Sequence, residues 1–310
     1  MSNTKRIEEN NDKNLRSKKH IFVLSANVDR LEYFAQYFNI FGPDTDVVVH
    51  TIIDDRHVHQ EDIMRAYELG YHINLVSDVI DTVVPMLKRP DLAHDILDMY
   101  GVSIKWLLFP YINRVLDIKK AMTLDDDTLL LRPLDHYFEH DYVWKRERLS
   151  KMNERVIDVL GEIINNRKFI EEINANMMFL NSGQMLYTDN DDSLMDFLNR
   201  VFDTPIYEFV KEGYDKYKSR NTSKIRGVGG YYWVIEQYIY CVFFNQLSKT
   251  HDVQQFGNDV FLETYNMKES YRIGPRSKPP AYFHYLPKDK EPFYKYYIPV
   301  LENYMKENRE

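Results

Sequence analysis

The 310-residue chain has one cysteine, eleven glycines and no long apolar run. A single thiol, Cys241, cannot form an internal disulfide, which excludes a disulfide-stabilised scaffold. Cys241 lies in the apolar run Tyr240–Phe244, and this predicts a reduced core residue in a cytoplasmic protein. No window reaches the roughly 18 consecutive apolar residues of a membrane-spanning helix, so we expect no transmembrane segment.

Positive charge is also in deficit. Forty Lys and Arg residues stand against 48 Asp and Glu, a net charge of −8. This argues against a surface that is positive all over, as non-specific nucleic-acid binding requires, but it leaves room for a local basic groove. Residues 1–19 are polar and charged, which predicts a disordered arm and not a secretory signal. Residues 301–310 form a charged tail.

Apolar runs and helical spacing alternate in the first 80 residues. Ile21–Ser25, Val47–Ile53 and Ile73–Val76 are typical of buried strands, and Gln60–Leu69 has the spacing of a helix. This order predicts an α/β fold with a mostly parallel sheet and helices on both faces. Ligands of such sheets bind beyond the carboxyl ends of the strands. Asn27, Asp29 and Asp54 follow those ends and are candidate nucleotide contacts.

Further along, Lys119–Leu124 is predicted to be a strand that runs into three aspartates. The charged residues 136–172 have a helical pattern and predict a helical insertion. Met177–Leu180 is predicted to be another strand, followed by Asn181-Ser182-Gly183, and Tyr231–Leu247 an aromatic helix. The fold expected is one domain over residues 20–300.

The three aspartates, Asp125, Asp126 and Asp127, are costly at the end of an apolar strand unless a cation neutralises them. In an extended chain Asp125 and Asp127 point the same way and can converge on one ion. Asp126 points to the opposite face, where it can bind a ribose or the loop. Carboxylate oxygens favour Mg²⁺ or Mn²⁺, with a diphosphate supplying further ligands. The alternative is an acidic turn exposed to solvent.

Four separated stretches together resemble the family 8 glycosyltransferases, the retaining branch of the GT-A fold. They are KKAMTLDDDTLLLRPL at 119–134, FLNSGQML at 179–186, WVIEQ at 233–237 and HYLPKDKEPF at 284–293. Pro287, Glu291 and Phe293 depart from the family's ending, which indicates a divergent member.

The resemblance implies a metal-dependent hexosyl- or pentosyltransferase that uses a nucleotide-sugar donor, expected to be a UDP-sugar, with Mn²⁺ or Mg²⁺ as cofactor. His284 would complete the metal ligands of Asp125 and Asp127, and Lys290 would contact the diphosphate. The other residues implied in donor binding are Ala26, Asn27, Asp29, Asp54, Asp126, Asn181 and Gly183.

Two neighbouring residues are the catalytic candidates. Gln237 would lie opposite the leaving group, where an amide favours front-side attack over a covalent intermediate. Glu236 is the alternative, as nucleophile or base. Gly227–Gly230 is expected to be a loop that closes over the donor.

The acceptor is less defined. Basic residues alternate with tyrosines before this glycine loop, and Lys218, Arg220, Lys224 and Arg226 are candidate acceptor contacts. A solvated loop is the simpler interpretation. If these residues bind phosphate, the acceptor would be a hydroxylated base of phage DNA, and the protein would act in the host cytoplasm. A glycan such as lipopolysaccharide and a protein side chain are the other acceptors. A catalytically inactive module that binds glycans or nucleotides is the alternative function.

Overall fold

The structure is a computed structural model. It describes residues 18–25, 31–32, 47–56, 58–125, 128–130, 135–146, 151–190, 192–218, 230–256, 261–264 and 282–285. The predicted arm and charged tail lie almost wholly outside these residues. None of the described helices has the length and hydropathy that a membrane crossing requires.

The described residues include ten strands, which form two sheets. The strands are β1 Lys19–Ser25, β2 Val47–Ile53, β3 His72–Leu75, β4 Lys120–Asp125, β5 Thr128–Leu130, β6 Tyr142–Arg146, β7 Leu180–Thr188, β8 Val253–Gln255, β9 Phe261–Thr264 and β10 Tyr282–Tyr285. The larger sheet has seven strands in the order β3-β2-β1-β4-β7-β6-β8, and the smaller one has the order β5-β10-β9.

Nine α-helices accompany these strands within the described ranges. They are α1 Gln60–Glu68, α2 Val76–Val83, α3 Pro90–Met99, α4 Lys105–Pro110, α5 Glu154–Ile164, α6 Arg167–Ala175, α7 Ser193–Val201, α8 Thr204–Lys218 and α9 Gly230–Leu247. The predicted α/β class with a mostly parallel sheet flanked by helices is therefore confirmed.

Contacts divide the chain into two units. Residues 1–75, 122–139 and 256–310 form the first, and residues 76–121 and 140–255 form the second. The prediction of one catalytic domain over 20–300 stays a prediction.

In the first unit, β1, β2 and β3 are parallel and end at the same edge. Ser25 pairs with Ile53, and Ile53 pairs with Leu75. β-branched and apolar side chains that are buried on both faces explain why β1 and β2 form inner strands of the sheet, whereas β3, at the sheet edge, is less buried. The chain leaves β2 at this edge, where the Asp54 amide donates to the Ser25 carbonyl over 3.3 Å.

In the second unit, β6 pairs antiparallel with β7 and parallel with β8. This differs from the expected helical insertion over residues 136–172, a range that contains α5 and the first six residues of α6 but also β6, a strand of the larger sheet. The apolar residues Tyr142, Val143 and Trp144 are all buried, and that burial outweighs the charges around them.

β7 begins later than predicted. α6 ends at Ala175 and is followed by a capping turn through Met177, whose φ of 50° is left-handed, and the Met178 backbone amide donates to the Ile173 carbonyl of the helix. The strand therefore starts at Leu180 and includes Asn181-Ser182-Gly183, whereas the prediction ended the strand at Leu180.

Candidate functional site

In the first unit, Asp125 is the last residue of β4 and is half-buried. The four residues before it are buried, so the strand holds the start of the aspartate triplet at the boundary between core and solvent. Asp126 and Asp127 lie outside the described residues. The chain resumes at Thr128, the first residue of β5.

β10 runs antiparallel to β5, and His284 is the residue opposite Thr128. This register brings the backbone of a residue from near the end of the chain beside the residue that follows the triplet. Carboxylates together with an imidazole make a ligand set that suits Mn²⁺. Within the described ranges, no group of three metal-ligating side chains is found. The predicted Asp127 is not among those residues.

Asp54 follows β2 and pairs with Arg56. Its two carboxylate oxygens accept from Nε and Nη2 of Arg56, each over 2.8 Å. A ribose hydroxyl would therefore have to share a carboxylate that a guanidinium already holds. Ala26, Asn27 and Asp29 lie outside the described residues, as does Lys290.

In the second unit, two predicted segments meet. Glu236 of α9 is only 2% exposed, and its Oε1 accepts a 2.7 Å hydrogen bond from the hydroxyl of Ser182, the residue between Asn181 and Gly183. Its Oε2 accepts from the Tyr100 hydroxyl over 3.3 Å and from the backbone N–H of Gln237 over 2.8 Å. Hydrogen bonds to the charged form offset the cost of burying a carboxylate.

Two further contacts fasten α9 beside β7. The Leu180 amide donates to the sulfur of Cys241 over 2.9 Å, and the side-chain amide of Asn245 donates to the Met178 carbonyl over 3.1 Å. From Glu236 to Asn245 the helix rises about 13.5 Å, and the extended chain from Ser182 back to Met178 spans about 13 Å. The helix and the strand segment therefore run antiparallel, and their lengths match between the contacts of Glu236, Cys241 and Asn245.

Gln237 is half-buried, yet its side-chain oxygen is buried and has no hydrogen-bond partner within the described part of the chain. Buried polar atoms are nearly always paired in native structures. An unpaired acceptor is consistent with a group that a ligand satisfies.

Lys145 was not singled out from sequence. It is 6% exposed and pairs with Asn181 across the strands, directly after a β-bulge between Trp144 and Lys145. Bulges re-aim side chains and are frequent next to functional sites. The sequence signal for this residue was a lysine that follows the apolar residues Tyr142–Trp144. It was missed because residues 136–172 were predicted to be helical. Tyr100 gave no local signal, because it meets Glu236 across 136 positions of sequence.

The predicted acceptor contacts are only partly described. Lys211 and Lys216 lie on α8, where Lys216 forms an ion pair with Glu212. Lys218 is the last residue of that helix, and Arg220, Lys224 and Arg226 lie outside the described residues. The beginning of the basic stretch is thus a helix, where a loop was expected.

The phenol of Tyr240 lies one helical turn after Glu236. Burial, and then the nearby charge of Glu236, raises the pKa of this phenol, so it stays protonated as a donor. Its hydroxyl donates to the Lys105 carbonyl over 2.7 Å and joins α9 to α4.

No protein-family model matches the chain, and no curated protein matches it. Solved structures similar to it include mouse xyloside xylosyltransferase 1 (TM-score 0.42, 12% identity, 86% of this chain and 97% of that one). Another is the galactosyltransferase LgtC in complex with donor and acceptor sugar analogues, with a TM-score of 0.44 and 12% identity, covering 93% of this chain and 95% of that one. A third is the glycosyltransferase GlyE of Streptococcus pneumoniae TIGR4, with a TM-score of 0.42 and 10% identity, covering 94% of this chain and 63% of that one.

Proposed function

We propose that this chain is a metal-dependent glycosyltransferase, which moves a hexosyl or pentosyl residue from a UDP-sugar to an acceptor hydroxyl with retention of configuration. The observation that carries the proposal is the pairing of β10 with β5. It sets His284 opposite Thr128, one residue after the aspartate triplet, although the two are distant in sequence. An acidic surface turn requires no such neighbour.

Asp125, Asp127 and His284 would hold the metal ion. Mn²⁺ or Mg²⁺ bound there supplies Lewis-acid stabilisation of the negative charge on the departing diphosphate. Lys290 would add a positive charge to the same leaving group. Asn27, Asp29 and Asp54 are the proposed contacts to uracil and ribose.

On the sugar side, Asn181 would hydrogen-bond the sugar hydroxyls and Gly183 would permit close approach of the backbone. The unpaired Oε1 of Gln237 supports a contact between this amide and the donor sugar or the developing positive charge. An amide oxygen stabilises such charge without forming a lasting bond, which favours front-side transfer.

The acceptor stays open between a hydroxylated base of DNA, a glycan and a protein side chain. A gel shift against duplex DNA at two salt concentrations distinguishes the first, because phosphate contacts weaken steeply with salt. The second candidate function, a binding module without turnover, is favoured only if nucleotide binds and no donor is cleaved.

A donor screen tests the proposal. Hydrolysis of several UDP-sugars is measured with Mn²⁺ and with a chelator, for the wild type, Asp125→Asn, Asp127→Asn and the exposed control Asp95→Asn. We expect one donor to be cleaved only with metal, and both triplet variants to lose turnover while the control keeps it. The transferase proposal fails if the wild type cleaves no donor.

A further inference from the structure

We propose that Glu236 is a positioning residue: it locks the Asn181–Gly183 segment of β7 to helix α9 and does not attack the sugar. This inference rests on the proposed glycosyltransferase function and assigns the roles within its sugar-side residues.

Both oxygens of the Glu236 carboxylate are already engaged. Oε1 accepts from the Ser182 hydroxyl, and Oε2 accepts from the Tyr100 hydroxyl and from the backbone N–H of Gln237. A nucleophile must present a lone pair to the anomeric carbon at a separation of about 3–3.5 Å. A carboxylate that is 2% exposed and holds three donors has no open face for a sugar.

The same contacts explain what the carboxylate does. Ser182 is flanked by the two residues proposed to shape the sugar pocket, and Gln237 directly follows Glu236 in the helix. A single side chain therefore connects the strand segment that carries Asn181 and Gly183 to the backbone of Gln237, the residue whose side-chain amide is proposed to act on the sugar. Cys241 and Asn245 keep the rest of the helix in register with the strand, so the loss of Glu236 loosens only the end that carries Gln237.

Tyr100 adds a third element. It follows α3, is fully enclosed at 1% exposure, and its hydroxyl reaches the same carboxylate oxygen as the Gln237 amide. The carboxylate thus joins a helix, a strand and the residue after α3. For this positioning role, the placement of the two Glu236 oxygens as hydrogen-bond acceptors matters more than the negative charge of the carboxylate.

The test uses Glu236→Gln, Glu236→Ala and Ser182→Ala, with the exposed Glu172→Gln as the matched control. Donor turnover is measured as kcat and KM, with and without sodium azide. We expect Glu236→Gln and Ser182→Ala each to lower kcat/KM about tenfold, largely through KM, because the donor pocket loosens while the chemical step survives. Glu172→Gln stays at the wild-type value.

The double variant Glu236→Gln/Ser182→Ala is expected to be no worse than either single change, since both remove the same contact. Azide is expected not to restore Glu236→Ala. The proposal is overturned if Ser182→Ala is fully active while Glu236→Gln is inactive. It is also overturned if azide rescues Glu236→Ala by bonding to the anomeric carbon as UDP departs, leaving a glycosyl azide.

Urea unfolding separates this result from failure of the proposed function. If the wild type cleaves no donor, the transferase proposal fails, but the coupling between Ser182 and Glu236 can still be measured. It follows from the urea unfolding midpoints of the wild type, Glu236→Gln, Ser182→Ala and the double variant. Non-additive shifts support the contact, and additive shifts overturn it. Circular dichroism establishes that each variant is folded.

Discussion

The Ser182 hydroxyl donates a 2.7 Å hydrogen bond to Glu236, 54 positions away in sequence. It joins two segments that were singled out separately, one as sugar-binding and the other as catalytic. The bond is buried at both ends, where an unpaired partner is costly. It therefore fixes the position of the Asn181–Gly183 segment relative to the part of α9 that carries Gln237.

Replacing the predicted histidine ligand tests the metal site. We expect His284→Ala to raise the Mn²⁺ concentration for half-maximal turnover at least about tenfold, since a lost ligand costs no less than a lost outer-shell contact. Calorimetric titration of Mn²⁺ measures the same loss without turnover. The exposed His94→Ala is the control. An unchanged Mn²⁺ dependence in His284→Ala contradicts the proposed ligand set.

The histidines of the parallel strands predict a pH-dependent stability. His50 Nε2 lies 3.0 Å from Nδ1 of His20, its ring stacks on Phe22, and burial lowers its pKa to about 3. The folded protein holds His50 neutral, whereas the unfolded chain binds a proton below pH 6.5. Stability is therefore lost as pH falls from about 6.5 towards 3, by about 2 kcal/mol between pH 7.5 and pH 5.

The measurement is urea unfolding at pH 7.5 and pH 5.0. His50→Phe keeps the ring and removes the titration, so its loss of stability over this interval should be about 2 kcal/mol smaller than that of the wild type. A variant with the same pH dependence as the wild type rules out His50 as the source.

Tyr240→Phe tests the link between α9 and α4. Removing the buried hydroxyl leaves the Lys105 carbonyl without this donor, and we expect a loss of about 1–2 kcal/mol in the free energy of unfolding. The change should be independent of pH across the neutral range, because the raised pKa of Tyr240 keeps the phenol protonated there. A ΔΔG near zero would argue that the bond is not formed in solution.

Cys241 is expected to be unreactive in the folded protein. It is fully buried, and its sulfur accepts the Leu180 amide. Thiolate formation requires exposure to water, so a colorimetric thiol reagent should detect no thiol until denaturant is added, and then one per chain. Cys241→Ala should lower the unfolding midpoint, because it leaves a buried N–H without its acceptor. Rapid labelling of the folded chain would contradict this placement.

Local pattern predicted several elements well. β2 was predicted with its observed bounds, and α1 and α9 were each predicted within one residue at either end. These are segments whose own periodicity and apolar content agree with their final burial. β6 and the start of β7 were misjudged, because a strand in the sheet interior and a helix cap at Met177 depend on neighbours that local pattern does not contain.

The sequence by itself determined the α/β class and the edge at which Asp54 leaves its strand. Periodicity and composition are sufficient for these, since each depends on residues close together in the chain. Tertiary structure alone decided that His284 stands opposite Thr128, that Glu236 is held by Ser182 and Tyr100, and that Lys145 is buried beside Asn181. Such pairings depend on strand register and helix packing, which bring together residues that no local pattern connects.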